Sequence, residues 1–210
     1  MVQSGLKWGT FDAVVDGDGS IYAAGSCEYI IAKYSKNGER LWVAKEDTSQ
    51  CGLVSYQLAL DSEGNVYATG WLRNTVVTVD GVQLTASGDS GIFIAKYDPE
   101  GNLIWIINDG TGDLEQSYDI TVDREGNVYI TGLIGGRTRL AGTDLGAQEE
   151  SHLFVAKYDR DANPMWAVSS RSGYAHGGTG IAVDAKGNAY VTSKIKSGFG
   201  LFGDDIEVHG

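Results

Sequence analysis

The sequence predicts an all-β chain built as a β-propeller of four-stranded antiparallel blades, and three observations predict it. A unit of about 61 residues is written three times and begun a fourth: Gly-Asn-Val-Tyr-Ala-Thr-Gly at Gly64 to Gly70 returns at Gly126 to Gly132, at Gly187 to Ser193 and, more loosely, at Gly19 to Gly25. Within each unit apolar and polar residues alternate at the period of a strand, and no unit carries the apolar stripe of a helix. Thirty glycines against two prolines supply many tight turns. Tandem sheets of this size bury both faces only by stacking on one another around an axis. A parallel β-helix is the competing architecture, but its coils are shorter and lack two hairpins each.

The third unit shows the elements in order. Tyr118, Ile120 and Val122 alternate with Asp119 and Thr121 as a first strand. Asp123 to Asn127 then forms a turn, because an Asp side chain caps nearby backbone amides and Gly or Asn accepts positive φ. Val128 to Ile130 is the second strand, ending at Gly132, and a long connection runs from Leu133 to Ser151. Leu153 to Tyr158 is the third strand, Asp159 to Asn163 a second turn, and Met165 to Val168 the fourth strand.

Blades are thus expected over 11–44, 55–107, 117–168 and 179–210, within a single domain of 210 residues and about three and a half repeats. The last is incomplete, since Leu201 to Ile206 matches the connection segments Val79 to Leu84 and Leu140 to Leu145. Leu6-Lys-Trp8 resembles a fourth strand and supplies one missing strand but not two. The expectation is a portion of a larger propeller, or a chain that self-assembles through its incomplete blade.

The third strand has its own signature. Ile31-Ala-Lys-Tyr34, Ile94-Ala-Lys-Tyr97 and Val155-Ala-Lys-Tyr158 are each followed, eight residues on, by Trp42, Trp105 and Trp166. A Trp at one fixed place per unit is expected to pack between neighbouring sheets. Lys33, Lys96 and Lys157 are expected to form structural ion pairs with the turn carboxylates Asp16, Asp61, Asp123 and Asp184.

Together these segments resemble the bacterial SBBP repeat, whose units run from a Gly-Asn-Val-Tyr-Val-Thr-Gly strand to a Phe-Val-Ala-Lys-Tyr-Asp strand. Gly81, Gly142 and Gly203 match that family's glycine within the long connection. The first unit departs from the pattern, having almost no connection between Gly25 and Tyr29. The resemblance implies a propeller in large bacterial surface or secreted proteins, without catalytic residues to carry over.

Charge narrows the partners. A net charge of −12 repels phosphate backbones and anionic headgroups, so nucleic acid is excluded as the expected partner. No apolar run is long enough to insert in a membrane, and Met1 to Thr10 lacks the pattern of a signal peptide. The expected location, extracellular or cell surface, rests on the family resemblance.

The connections before each first strand and after each second strand are expected on one face, and there the units diverge most. Lys45 to Ser55, Asn108 to Ser117 and Ser169 to Gly178 gather Asp113, Glu115, Arg171, Tyr174 and His176. Trp71, Leu133 and Lys194 share one position past the second strand, with Arg73 and Lys196 beside it. An aromatic residue with planar polar groups suits a glycan or a protein segment, and Trp71, Arg73, Arg171, Tyr174, His176 and Lys194 are the candidate ligand-binding residues. Ordinary variable loops have the same composition, so a recognition module and a spacer both remain readings of this face.

Cys27 and Cys51 both fall on that face, where a disulfide or two free thiols are the alternatives. Asp16-Gly-Asp18 opens like a calcium loop, but the later copies offer Ser62, Arg124 and Ala185 instead, and Lys186 opposes a cation, so hairpin turns are expected and no metal. No catalytic residues and no cofactor are assigned: His152, His176 and His209 stand apart and no Gly-X-Ser-X-Gly occurs. A quinoprotein-like enzyme is the alternative, resting on Gly-Asn-Leu-Ile-Trp105.

Overall fold

A computed structural model describes residues 10–26, 30–47, 51–73, 76–88, 90–112, 114–170 and 175–195. Sixteen strands and no helix occupy the described residues. The first sheet runs β1 (Thr10–Val15), β2 (Ile21–Gly25), β3 (Ile31–Tyr34) and β4 (Arg40–Ala44), antiparallel and in chain order. The second holds β5 (Leu53–Leu60), β6 (Val66–Arg73), β9 (Ser90–Tyr97) and β10 (Leu103–Asp109), with β7 (Val76–Val79) and β8 (Val82–Thr85) as a separate hairpin. The third sheet is β11 (Leu114–Val122), β12 (Val128–Leu140), β13 (Thr143–Tyr158) and β14 (Pro164–Ser169), and β15 (Ala175–Val183) pairs with β16 (Ala189–Ile195) as a two-stranded fourth. These are the antiparallel sheets of successive propeller repeats.

The connection expected between Leu133 and Ser151 is not a loop. It is a β-ribbon continuous with β12 and β13, and β7–β8 is its counterpart in the second unit. Alternating polar and apolar residues were legible there; what decided the matter was the turn. Asp80–Gly81 and Ala141–Gly142 both have positive φ at two successive residues, the backbone that joins adjacent strands through a two-residue turn. The repeated connection glycine is the second of that pair, and Gly203 lies outside the described residues.

Register explains the signature residues. Tyr22 lies opposite Lys33 and Lys33 opposite Trp42; Tyr67, Lys96 and Trp105, then Tyr129, Lys157 and Trp166, repeat the row. Opposite residues of antiparallel strands share a face. Each ammonium therefore lies 4.8 to 5.0 Å from its tyrosine ring centre. Each tryptophan meets the same ring edge-on, at 5.9 to 6.2 Å. The expected ion pairs form between Lys33 and Asp16, at 3.9 Å, and between Lys96 and Asp61, at 3.7 Å.

Two of the tryptophans also tie sheet to sheet. The Trp42 indole donates to the carbonyl of Pro99 at 3.0 Å, and Trp105 to that of Arg160 at 3.2 Å. The cores follow the same plan: one apolar cluster lies between the first and second sheets, one between the second and third, and one between the third and fourth.

The turns at the other end are closed by their own aspartates. Asp61 Oδ1 accepts the amides of Glu63 and Asn65, while Oδ2 accepts the Asn65 side chain at 2.8 Å and the Tyr67 hydroxyl at 3.0 Å. Asp123 and Asp184 repeat all four bonds. These oxygens are occupied by chain donors in a hairpin geometry, which is what each aspartate does here.

Candidate functional site

The first strands of consecutive sheets converge. The Leu58 amide donates to Asp12 Oδ2 at 2.9 Å and the Ile181 amide to Asp119 Oδ2 at 2.6 Å, while Gln57 reaches Asp119 across the second and third sheets. Each first strand carries a bulge at the same place, at Thr10/Asp12, Ser55/Gln57, Ser117/Asp119 and Gly178/Gly180. A bulge re-aims the extra side chain away from the ladder. In three strands that extra residue is aromatic, and the rings meet edge to face: Phe11 with Tyr56 at 5.4 Å and Tyr56 with Tyr118 at 5.9 Å.

Beside this aromatic row stand two of the expected site residues. Trp71 and Arg73 are two apart on β6, hence on one face, and the guanidinium carbon lies 4.6 Å from the indole centre. Burial pushes the Tyr56 hydroxyl up, and the positive charge of Arg73 opposes it, which places Arg73 within electrostatic reach of the row. The Tyr118 hydroxyl, also pushed up by burial, donates to Gln116 Oε1 at 2.7 Å. Trp71, Arg73, Tyr56, Tyr118 and Gln116 thus combine flat apolar faces, one cation and an amide. Neither Tyr56 nor Tyr118 was selected from the sequence, because a strand aromatic has no mark that a bulge will turn it outward.

The remaining candidates fall elsewhere. Arg171 and Tyr174 lie outside the described residues, and so do the side chains of His176, on β15, and Lys194, on β16. Glu115 corrects the expectation of an available loop carboxylate. It is fully buried, accepts the Gly112 amide, and its own amide donates to Ser90 Oγ at 3.1 Å, so it fastens the loop from within. Glu46 does the same one unit earlier, accepting from Gly52 at 3.1 Å and Leu53 at 2.5 Å. Burial pushes the Glu46 carboxyl up despite those two bonds. His152 is buried against the Ser170 carbonyl, 2.7 Å from Nδ1, a structural contact.

Cys51 is disulfide-bonded, and Cys27, the other cysteine of the sequence, lies outside the described residues. An isolated bridge between Ser26 and Val54 holds the segments that carry them side by side. A shallow cleft elsewhere, lined by Asp80, Val82, Asn102, Leu103, Ile104 and Trp105, holds Asp80 as its one ionisable group. Among the described residues no three His, Cys, Asp or Glu side chains are grouped to hold a metal ion. No helix of the described residues is long and apolar enough to cross a membrane.

Comparison with known proteins bears on the repeat. The chain is 31% identical over 183 residues to an uncharacterized WD repeat-containing protein of Acanthamoeba polyphaga mimivirus, covering 75% of this chain and 13% of that protein. It is 26% identical over 144 residues to the regulatory protein FlaEY of Caulobacter vibrioides, covering 65% of this chain and 15% of that protein. The chain spans less than a fifth of the length of either relative. One of these relatives is viral, so the bacterial setting that the resemblance implies is not carried by these similarities. Residues 104–137, from β10 through β11 into β12, match the SBBP family, a beta-propeller repeat. The stretch similar to that repeat thus lies within a series of four-stranded antiparallel sheets.

Proposed function

We propose that this chain is a non-catalytic interaction module that binds a protein segment across the Trp71–Arg73 pair and the Tyr56–Tyr118 row. The observation that carries this is the stacking of Arg73 on Trp71 beside rings that bulges turn out of their sheets. Rigid strands hold the groups, and aromatic and arginine side chains are the ones that dominate recognition surfaces. The names of the relatives, a WD repeat-containing protein and a regulatory protein, support a non-catalytic repeat module. A displayed peptide library and a glycan array, probed side by side, test this. Peptide hits that weaken at least about tenfold with Trp71→Ala and with Arg73→Ala are expected. Hits confined to glycans would replace the partner class, and peptide binding indifferent to both substitutions would make the chain a spacer.

The same reading includes a Cys27–Cys51 disulfide and an oxidising compartment at or outside the cell surface. The bonded state of Cys51 and the Ser26–Val54 bridge support it. Intact mass before and after reduction and alkylation tests it: alkylation of both cysteines without reduction would remove the disulfide and the argument for location.

A further inference from the structure

We propose that the cleft between the ribbon turn of the second unit and the start of β10 binds the side chain of a lysine or arginine presented by a partner protein. Asp80 and Val82 line it from the ribbon, and Asn102, Leu103 and Ile104 from the entry to β10. The aliphatic groups carry the stem of such a side chain, and the Asp80 carboxylate receives its cationic head. A volume of about 390 Å³ stands at the small end of ligand sites, which suits one side chain rather than a large ligand.

The third unit has the same elements with the gap shut. Ala141 stands where Asp80 does and is 2% exposed, and Thr143, in place of Val82, accepts the Ala167 amide of β14 on Oγ1 at 3.2 Å. Pro164 stands in place of Leu103, and a Cβ at Gly142 would lie 3.9 Å from its ring. In the second unit a Cβ at Gly81 would meet nothing within 4 Å, and the Val82 side chain offers β10 no acceptor. The turn therefore closes on the fourth strand in one unit and stands off it in the other, where Val82 is 40% and Ile104 49% exposed.

The charge differs in the same place. In the third unit Asp109 Oδ2 accepts both the Ala141 amide, at 2.9 Å, and the Tyr158 hydroxyl, at 2.8 Å. In the second, Asp47 Oδ2 accepts the Gly81 amide at 3.1 Å, and the turn adds another carboxylate, that of Asp80. Among the described residues no Lys or Arg pairs with Asp80. Burial, then the charge of Asp47, pushes the Asp80 carboxyl up, and a cation beside it opposes that push. A cationic head is therefore the complement of this cleft, and a neutral or anionic one is not.

NMR chemical-shift mapping on the full 210-residue chain tests this with Nα-acetyl-lysine methylamide, its arginine analogue and the uncharged norleucine analogue. The two cationic probes are expected to give saturable shifts centred on Asp80 to Val82 and Asn102 to Ile104, with the norleucine probe at least about tenfold weaker. Asp80→Ala installs the residue that the third unit carries there at φ of +44°, so the turn is kept. It is expected to weaken both cationic probes at least about tenfold, as is Asp80→Asn, with circular dichroism unchanged in each. Shifts spread over the acidic surface without saturating, equal affinity for the norleucine probe, or undiminished binding by the Asp80 variants would overturn the proposal. Trp71→Ala and Arg73→Ala are expected to leave the probes' affinity unchanged, so failure here is separate from failure of the peptide surface.

Discussion

Gly101→Ala tests whether tryptophan packing locks one sheet to the next. Gly101, in the turn between β9 and β10, has φ of +91°, and a Cβ there would lie 2.7 Å from Cδ2 and 2.8 Å from Cγ of Trp42. The indole has little room to retreat. Its N–H is held by the Pro99 carbonyl at 3.0 Å, and its ring lies over Tyr97 with centres 6.3 Å apart and planes 28° apart. Two costs fall on the alanine: about 1–2 kcal/mol for a side chain at positive φ, and about 1–3 kcal/mol for a methyl group forced into a filled contact.

Gly81→Ala separates them. Gly81 has φ of +79° with nothing within 4 Å of its Cβ position, so it carries the backbone cost alone. Ala162, the third-sheet counterpart of Gly101 with φ of +66°, shows that the fold accepts a side chain at positive φ. Equilibrium urea unfolding followed by circular dichroism is expected to show Gly101→Ala less stable than Gly81→Ala by about 1–3 kcal/mol. The excess should vanish in a Trp42→Ala background, where the obstructing ring is gone. Equal losses at the two glycines, or an excess that survives removal of Trp42, would refute the reasoning.

Three further predictions concern hydroxyl, carboxyl and amide groups. The Tyr97 hydroxyl is buried without a hydrogen-bond partner among the described residues, whereas Tyr158, its counterpart, donates to Asp109 Oδ2 at 2.8 Å. Tyr97→Phe is therefore expected to leave the urea midpoint unchanged or raise it, and Tyr158→Phe to cost about 1–3 kcal/mol; the reverse order would show that the hydroxyls are misread. The Asn188 side chain, then the Asn188 amide, holds the Asp184 carboxyl down to about 2. A folded value below the unfolded value of about 3.9 means that this group favours folding above that pH and loses the effect as pH falls toward 2. Carboxyl titration by NMR should find Asp184 rising toward its ordinary value in Asn188→Ala, and an unmoved titration would reject the assigned cause. In the first sheet Ser20 stands where the others have Asn, so Ser20→Asn should add the missing bond to Asp16 and raise stability by about 1 kcal/mol, read as the urea midpoint.

The sheets were legible because every unit must solve the same local problem. Asp at the turn, Tyr on the second strand, Lys on the third and Trp on the fourth recur because register places them on one face, where each partners the next. The motif's last glycine has an equally local cause, visible only in three dimensions. At Gly70 a Cβ would lie 1.9 Å from the Val54 carbonyl oxygen and at Gly132 it would lie 2.0 Å from that of Gln116, because the bulge presses the first strand against it. Ser193 breaks the motif at that position, and the sequence offers no reason. The structure does: Ser55 pairs with Gly70 and Ser117 with Gly132, but Gly178 pairs with Ser193, so the small residue has changed strands.

The same contrast explains why half of the candidate surface was missed. Trp71 and Arg73 could be picked because they depart from what the other units hold at those places and because two residues of spacing puts them on one face. Tyr56 and Tyr118 keep the pattern, being strand aromatics among strand aromatics. Their placement outside the ladder depends on one extra residue in each first strand, and a bulge of that kind writes nothing distinctive into the alternation. Glu115 fails in the opposite sense: it looks like a variable loop acid and is a buried fastener whose acceptor oxygen ties down the turn at Gly112. Divergence between repeats therefore marks two kinds of residue, those that hold a loop in its own shape and those that the loop displays. Only burial tells them apart, and it places Glu115 and Glu46 in the first kind and the exposed Arg73 in the second.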